Sequence, residues 1–491
     1  MTPAIPLQSQ AELFDADTLG DSLGDAFCAA NDADSRRPHG ITLTPLWLVE
    51  RMLDEVQDGG FQTIVDCGAG TGRFAIAAAL RFPKARIVAI EQHPELVLLL
   101  RRRIVESGVS QRVTVVEGDF REVHVPTRGK TLFIGNPPYV RHHDIAAEWK
   151  AWYQAGMTAR GVVASQLAGL HAHFMLRASA LMRPGDALCF VTSAEWLDNG
   201  YGRALRKLFG STSGLAVRGL WVADSAQPVF ADALVSSAVV HVASGQPGTS
   251  SRAGVIRDQS LLTLRQVAWA HLQDSARWSV WCRPTLAMVG QGVELGDLFR
   301  VTRGQVTGLN AAWVLGREGF DLPAGVCVTS VTRAKEIIQG LPLSQAGVEQ
   351  LKCVVDLPAD LDEVPVELRS AVQQFIARAR AMGADQTYIA RHRKAWWSVG
   401  MRAAPAAFVS YMGRRPPVFC ANPWGASFIN IAHGLYPRQA IADATLSRLL
   451  RHLNTTTDVN GGRLYGGGLA KFEPGDVSRL RIPPDLLEAQ D

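Results

Sequence analysis

From Ile41 onward the apolar residues fall into two alternating rhythms. TPLWLVERMLDEV carries them at helical spacing, with Thr44 placed as N-cap and Pro45 at the first helical position. The short apolar run FQTIVDC predicts a buried strand, GAGTG a turn, and RFAIAAALRF a helix. RIVAIE then predicts a strand, PELVLLLRRRIVES a helix, RVTVVEGDF a strand, and TLFIGNPPYV a strand running into a loop. VVASQLAGLHAHFMLRASALMRPGD predicts one long helix closed by a Pro-Gly turn, and ALCFVTS the strand after it. A short helix around YGRALRKLFG precedes VRGLWV and SSAVVHVAS, which end the run as an antiparallel hairpin at a sheet edge. Strands joined by helical crossovers predict an α/β domain with a mostly parallel, doubly wound sheet.

The rhythm is absent at both ends. Residues 1–40, rich in Asp, Gly and Ala, read as a loose arm with one short helix. Beyond about residue 260, SSRAGVIRDQ and the segment to TLAMVGQG read as a connection. From Val293 short strands, Pro/Gly loops and isolated helices follow without a βαβ repeat, as in an irregular α+β domain. The expected division is therefore an arm over 1–40, an α/β catalytic domain over 41–260 and a second domain over 261–491.

Composition sets bounds on this picture. A chain of 491 residues, 47% hydrophobic and 20% charged, builds its cores without metals or disulfides. No apolar run approaches the ~20 residues of a membrane span. The opening MTPAIPLQSQAELFDAD lacks the basic and apolar regions of a secretory signal. Seven scattered cysteines without CxxC spacing read as reduced thiols, with no zinc site. A soluble, cytoplasmic protein is expected, without a metal and without a membrane partner. The net charge of +4 is too small to imply a polyanion by itself.

Asp66-Cys67-Gly68-Ala69-Gly70-Thr71-Gly72 lies between a strand and a helix, where Gly68, Gly70 and Gly72 permit a tight turn and let a ligand approach the backbone. A nicotinamide-type dinucleotide site is the rival reading. The spacing is GxGxG rather than GxGxxG, and Asp66 precedes it. A diphosphate needs a nest free of negative charge, whereas a zwitterionic sulfonium tolerates a carboxylate, which favours S-adenosylmethionine. Glu91, at the end of the next strand, is placed to accept from ribose hydroxyls. Asp119 and Phe120 end the third strand, the acid suited to an adenine amino group and the ring to stacking on adenine. Phe120 as plain core and Thr44 as a plain helix cap stay open.

Asn136-Pro137-Pro138-Tyr139 follows the strand TLFIG directly. Two prolines stiffen the loop and remove backbone donors. The Asn136 side-chain oxygen and the Pro137 carbonyl then form a pair of acceptors. An aromatic amine is a poor nucleophile because its lone pair is delocalised. Two acceptors on its hydrogens favour a pyramidal nitrogen whose lone pair points at the methyl, without a covalent intermediate or a strong base. Tyr139 offers a stacking face worth ~1–3 kcal/mol.

TPLWLVERM, DCGAGTGRF, AIEQHP, GDF and NPPY, in that order, resemble the gamma class of DNA amino-methyltransferases of restriction–modification systems. The likeness is to the N6-adenine enzymes with a C-terminal target-recognition domain, and it continues through LMRPGDALCFVTSAEWL and PVFADALVSSAVVHV. It implies a class I S-adenosylmethionine-dependent methyltransferase fold, a Rossmann-like seven-stranded sheet with a reversed final hairpin. It further implies Thr44, Asp66, Gly68, Gly70, Gly72, Glu91, Asp119 and Phe120 as cofactor residues and Asn136 to Tyr139 as the catalytic loop. A base flipped out of the duplex would be sandwiched by Tyr139 and Phe230, the latter equally readable as core. The implied partners are double-stranded DNA and a functionally paired restriction endonuclease. The loop chemistry alone suits adenine N6 and cytosine N4 equally.

Arg141, His142 and His143 follow the loop; Arg141 is a candidate DNA contact, and the histidines read as solvated surface. His171 and His173 read as packing or a polar helix face. The stretch 388–415 has no acid and contains Arg391, Arg393, Lys394, Arg402, Arg414 and Arg415, interleaved with Trp396, Trp397 and Tyr411. Such a run is either a solvated face or a phosphate-contacting one. Arg303 and Lys471, the latter beside Gly466-Gly467-Gly468, are further candidates. The other functions compatible with these motifs are a protein glutamine methyltransferase, an RNA amino-methyltransferase, and a DNA-binding specificity component with an inactive methylase fold.

Overall fold

A computed structural model describes residues 20–210, 214–224, 227–230, 236–245, 249–283, 292–316, 322, 324–339, 345–465 and 469–487. The chain forms two compact units, residues 1–284 with 465–467 and residues 285–464 with 468–491.

The first unit is built on β1 (Thr63–Cys67), β2 (Arg86–Glu91), β3 (Val113–Glu117), β4 (Thr131–Gly135), β5 (Ala187–Ser193), β6 (Leu215–Ala223), β7 (Ser237–Ser244), β8 (Ser250–Arg257) and β9 (Ser260–Ala268). Their order in one sheet is β3-β2-β1-β4-β5-β7-β6-β8-β9. The first five strands pair in parallel, and β7 runs antiparallel between β5 and β6. Alternate residues feed two cores. Ile64, Leu132 and Ile134 point to the side of the helices Leu46–Glu55, Arg73–Arg81 and Pro94–Glu106. Val65, Phe133 and Phe190 point to the side of Ala147–Thr158, Leu170–Leu181 and Gly202–Leu208. Both faces are covered, so the central strands read as unbroken apolar runs.

Several expectations shift. Residues 250–268, read as a connection, form β8 and β9, so nine strands replace seven and the boundary falls near 284 rather than 260. Asp258 and Gln259 turn the hairpin with φ of 48° and 52°, a two-residue turn without the glycine that signals one in sequence. Thr44 is not the N-cap: Pro45, at ψ 137°, takes that position, and the helix begins at Leu46. The long helix predicted from residue 162 starts at Leu170, and a helix that the pattern did not announce, Ala147–Thr158, precedes it. Within the arm, Ser22–Ala30 is the expected short helix, capped by Asp21.

The second unit is α+β as expected. Its sheets are small and mainly antiparallel, the largest being two of four strands. One runs Phe299–Arg303, Ala432–Pro437, Ala407–Ser410, Phe419–Ala421 and shares a core with the helix Asp443–Thr456. Among the described residues no helix is long and apolar enough to cross a membrane.

Candidate active site

β1 and β4 are neighbours in register, Thr63 to Asp66 against Thr131 to Ile134. Their C-terminal ends therefore bring the glycine turn and the Asn136 loop side by side. Between them opens a cleft at the ends of these strands, where ligands of open α/β sheets bind. Gly68, Gly70, Glu91, Phe120, Asn136 and Pro138 are among its lining residues.

Asn136 is fixed by its amide nitrogen, which donates to the Thr42 carbonyl at 3.0 Å. A carbonyl accepts only, so this bond dictates which amide atom faces it. The side-chain oxygen is left buried and without a partner. An unpaired buried acceptor costs about 1–3 kcal/mol, which a donor on a bound substrate would offset. The backbone N–H of Tyr139 donates to the Gly40 carbonyl at 3.3 Å. Gly40 has φ +66°, and a Cβ there would lie 2.6 Å from the Tyr139 nitrogen, so only glycine lets the arm approach this closely. Burial pushes the Tyr139 phenol above its ordinary range, against the pull of Ser237.

The cofactor candidates divide. Gly68 and Gly70 turn with φ of 81° and 57° and form a wall without side chains; a Cβ on Gly70 would meet Leu43 at 3.4 Å. Gly72 serves packing instead, since a Cβ there would lie 2.5 Å from Leu100. Glu91 accepts from the backbone of Gly70, Gln92 and His93, each at 2.8 Å. These bonds hold the acid at the cleft wall and leave part of its acceptor capacity for hydroxyls. Phe120 lines the cleft and is also core, 5.2 Å from Phe174, so both readings of it apply.

Three expected cofactor residues are turned elsewhere. Asp66 is wholly buried beneath the turn, where its Oδ2 accepts from the Ala75 N–H at 2.9 Å and caps the helix Arg73–Arg81. Burial pushes its carboxyl up to about 8, against that hydrogen bond and helped by the Glu91 charge. The Asp119 carboxylate accepts from Arg121, whose guanidinium lies 3.6 Å over the Trp149 ring, while its neighbours Gly118 and Phe120 line the cleft. Thr44 is buried with its carbonyl bonded to Arg73 at 3.0 Å, and Thr42 and Leu43 take the cleft wall.

Tyr139 and Phe230 do come together, edge to face, with ring centroids 6.2 Å apart at 67°. A base held between them would require parallel rings about 7 Å apart, twice the ~3.5 Å carbon contact. The expected sandwich is therefore not formed here, and Phe230 packs as core at 5% exposure. Arg141 is exposed, as is His143, and the ring of His142 lies 3.8 Å from that of His143. His171 and His173 are packing residues. Burial lowers them to about 4 and about 3, and His173 stacks on Tyr153 at 4.7 Å.

In the second unit Arg391, Lys394, Arg402, Arg414 and Arg415 are exposed. Arg393 is not an outward cation: it is half-buried, donates to the Val306 carbonyl, and is lowered by burial. Trp396 and Trp397 are half-buried and packed against a hydrophobic core, the former 6.2 Å from Trp313, so part of each ring is committed to that core. Arg303 and Lys471 are joined by one carboxylate, Glu473, at 3.1 and 2.6 Å. Gly466 to Gly468 lie outside the described residues.

Sequence reasoning missed the arm's contribution. His39 to Leu43 line the cleft, yet a run of loop residues has no periodicity to betray it. Asp21 was missed for the same reason; it is buried and bonded to Thr71 and Arg73.

A parallel sheet with a reversed final hairpin, a glycine turn after its first strand and an acid after its second define a class I S-adenosylmethionine-dependent methyltransferase. The type II methyltransferase M.XamI of Xanthomonas campestris pv. amaranthicola is 43% identical over 452 residues, 90% of this chain and 85% of its own. M.AccI of Acinetobacter calcoaceticus is 20% identical over 384 residues, 73% of this chain and 70% of its own. The family model of the C-terminal domain of type II methyltransferase M.Eco57I matches residues 285–491, and that of the Eco57I restriction-modification methylase matches 116–215. A general methyltransferase domain model matches 64–154. The chain thus belongs to the type II DNA methyltransferases of restriction–modification systems, and S-adenosylmethionine is its methyl donor. A release factor glutamine methyltransferase of Moorella thermoacetica is 34% identical over 95 residues, only 19% of this chain and 32% of its own, a likeness confined to a segment. The type IIL restriction-modification enzyme MmeI, solved with DNA, shares the fold, with a TM-score of 0.58 at 11% identity over 94% of this chain and 70% of its own.

Proposed function

We propose that this DNA methyltransferase modifies the N6 amino group of adenine in duplex DNA, and that the base reaches the site by leaving the helical stack. The observation that carries transfer to a base amino group is the Asn136 side-chain oxygen, buried and unpartnered while its amide nitrogen is held by Thr42; the choice of adenine rests on the resemblance of the motifs to the N6-adenine enzymes. With the Pro137 carbonyl it would grip the two amine hydrogens and direct the nitrogen lone pair toward the cleft. Glu91, Gly68, Gly70 and Phe120 are the residues that would hold S-adenosylmethionine. That molecule supplies an electrophilic methyl on a sulfonium; the chain orients the amine and excludes water. Tyr139 would stack on the base after Phe230 gives way. Asp119, between the cleft residues Gly118 and Phe120, would serve the cofactor adenine by turning its carboxylate from Arg121 to the amino group.

Exposed Arg391, Lys394, Arg414 and Arg415 of the second unit, together with Arg141 and the Arg303–Glu473–Lys471 cluster, are the proposed DNA contacts. A cognate endonuclease would act at the same sequence, and both would work in the cytoplasm. The test is to methylate duplex substrates with purified protein and digest them to nucleosides. N6-methyladenine as the product supports the reading; N4-methylcytosine, or modification of neither base, overturns it.

A further inference from the structure

We propose that Asp21 is a positioning residue for the methyl donor: it clamps the arm segment 20–45 onto the glycine turn and so sets cofactor affinity. The inference rests on the cleft being the S-adenosylmethionine site and not on the choice of base.

The Asp21 side chain is fully buried, and each oxygen has two partners. Oδ1 accepts from the Gly24 N–H at 2.8 Å and pairs with Arg103 Nε at 3.1 Å. Oδ2 accepts from the Thr71 hydroxyl at 2.5 Å and Arg73 Nε at 2.7 Å. Burial alone would raise this carboxyl, but Thr71, Arg73, Arg103 and Gly24 together hold it below its ordinary value. A buried carboxylate is tolerated when saturated in this way. The site is also built to measure: a Cβ on Gly24 would lie 2.2 Å from Oδ2.

Thr71 is the middle of the turn, between Gly70, which lines the cleft, and Gly72. Both of its polar oxygens are held by this cluster, the hydroxyl by Asp21 and the carbonyl by Arg103 at 2.7 Å. Arg73, from the same cluster, reaches the Thr44 carbonyl. Two residues earlier Thr42 grips the Asn136 amide, and Gly40 grips the Tyr139 backbone. The arm is thus a strap tied to the glycine turn at one end and to the catalytic loop at the other, with His39 to Leu43 as cleft wall between.

The test uses three variants of the full chain, Asp21→Asn, Thr71→Val and Thr71→Ser, measured well below their melting temperatures. S-adenosylmethionine and S-adenosylhomocysteine binding is read by calorimetry, and hydrogen exchange is read over residues 20–45. Asp21→Asn should raise the cofactor Kd at least tenfold and speed exchange of the strap. Thr71→Val should raise Kd severalfold and lower Tm by a few degrees, Thr71→Ser should restore both, and Asp21→Asn/Thr71→Val should be no worse in Kd than Asp21→Asn alone. Should Asp21→Asn not fold, the Thr71 pair decides. A lowered Tm with Kd within twofold of the parent, or equal Kd in Thr71→Val and Thr71→Ser, overturns the proposal. If the parent chain binds neither molecule, the cofactor reading itself fails, which is a separate result.

Discussion

The Thr42 carbonyl, 3.0 Å from the Asn136 amide nitrogen, decides which end of that amide meets the substrate. The two residues are 94 positions apart, and neither is informative about the other until the chain is folded. By occupying the donor end, Thr42 leaves an acceptor in the cleft, as a nucleophilic amine requires. Asn136→Ala should lower kcat about 10²–10³-fold or more, the scale of losing one preorganised polar group in an active site. Cofactor Kd should stay within threefold, because the amide acts on the amine. Single-turnover methyl transfer beside calorimetric binding separates the two quantities; near-parental turnover would refute the role.

Gly40 is tested by adding one methyl group. Gly40→Ala places a Cβ 2.6 Å from the Tyr139 nitrogen at a backbone angle that alanine disfavours. We expect kcat to fall at least tenfold, with Tm lowered by a few degrees. Steady-state kinetics and a melting curve check both.

Asp66 predicts an unusual pH dependence. Its carboxyl is raised from 3.8 to about 8, so the folded chain keeps a proton that the unfolded chain has released. The stability it contributes is complete below pH 3.8 and is lost as pH rises toward about 8, with a limiting slope of about 1.4 kcal/mol per pH unit. Asp66→Asn keeps an acceptor for the Ala75 N–H and should remove this slope. Urea unfolding of parent and variant from pH 5 to 9 should show the difference growing in favour of Asn as pH rises.

His171 and His173 act with the opposite sign. Both are depressed below 6.5, to about 4 and about 3, so the unfolded chain takes up their protons first. Their stabilising effect is present above pH 6.5 and is lost as pH falls toward 4 and 3. His173→Phe, which preserves a flat ring against Tyr153, should reduce the acid sensitivity by about one proton. An unchanged proton uptake on unfolding between pH 4 and 6 would contradict the assignment.

The second unit separates exposed from committed cations. Arg414→Glu/Arg415→Glu should weaken duplex binding and flatten its salt dependence by about two counterions. Arg393→Ala, which loses a clamp on the Val306 carbonyl, should lower Tm and leave the salt slope unchanged. Binding titrations at several salt concentrations distinguish the two outcomes.

What the sequence determined by itself was local. Apolar runs and helical spacing specify β1 to β7 and their crossovers apart from the helix Ala147–Thr158, and with them the places of the glycine turn and Asn136. Those signals survive because strand and helix periods are written in adjacent residues. The tertiary structure decided what depended on contacts distant along the chain. It turned Asp66 under a helix and Asp119 toward Arg121, and closed Phe230 against Tyr139. It also packed Trp396 and Trp397 against a core, and drew the arm from Asp21 to Thr42 across the cleft. A carboxylate, a guanidinium or an indole reads the same in sequence whether it faces a ligand or a neighbour. Only the folded chain assigns its partner, because burying such a group unpaired takes a sizeable part of the marginal stability of a domain.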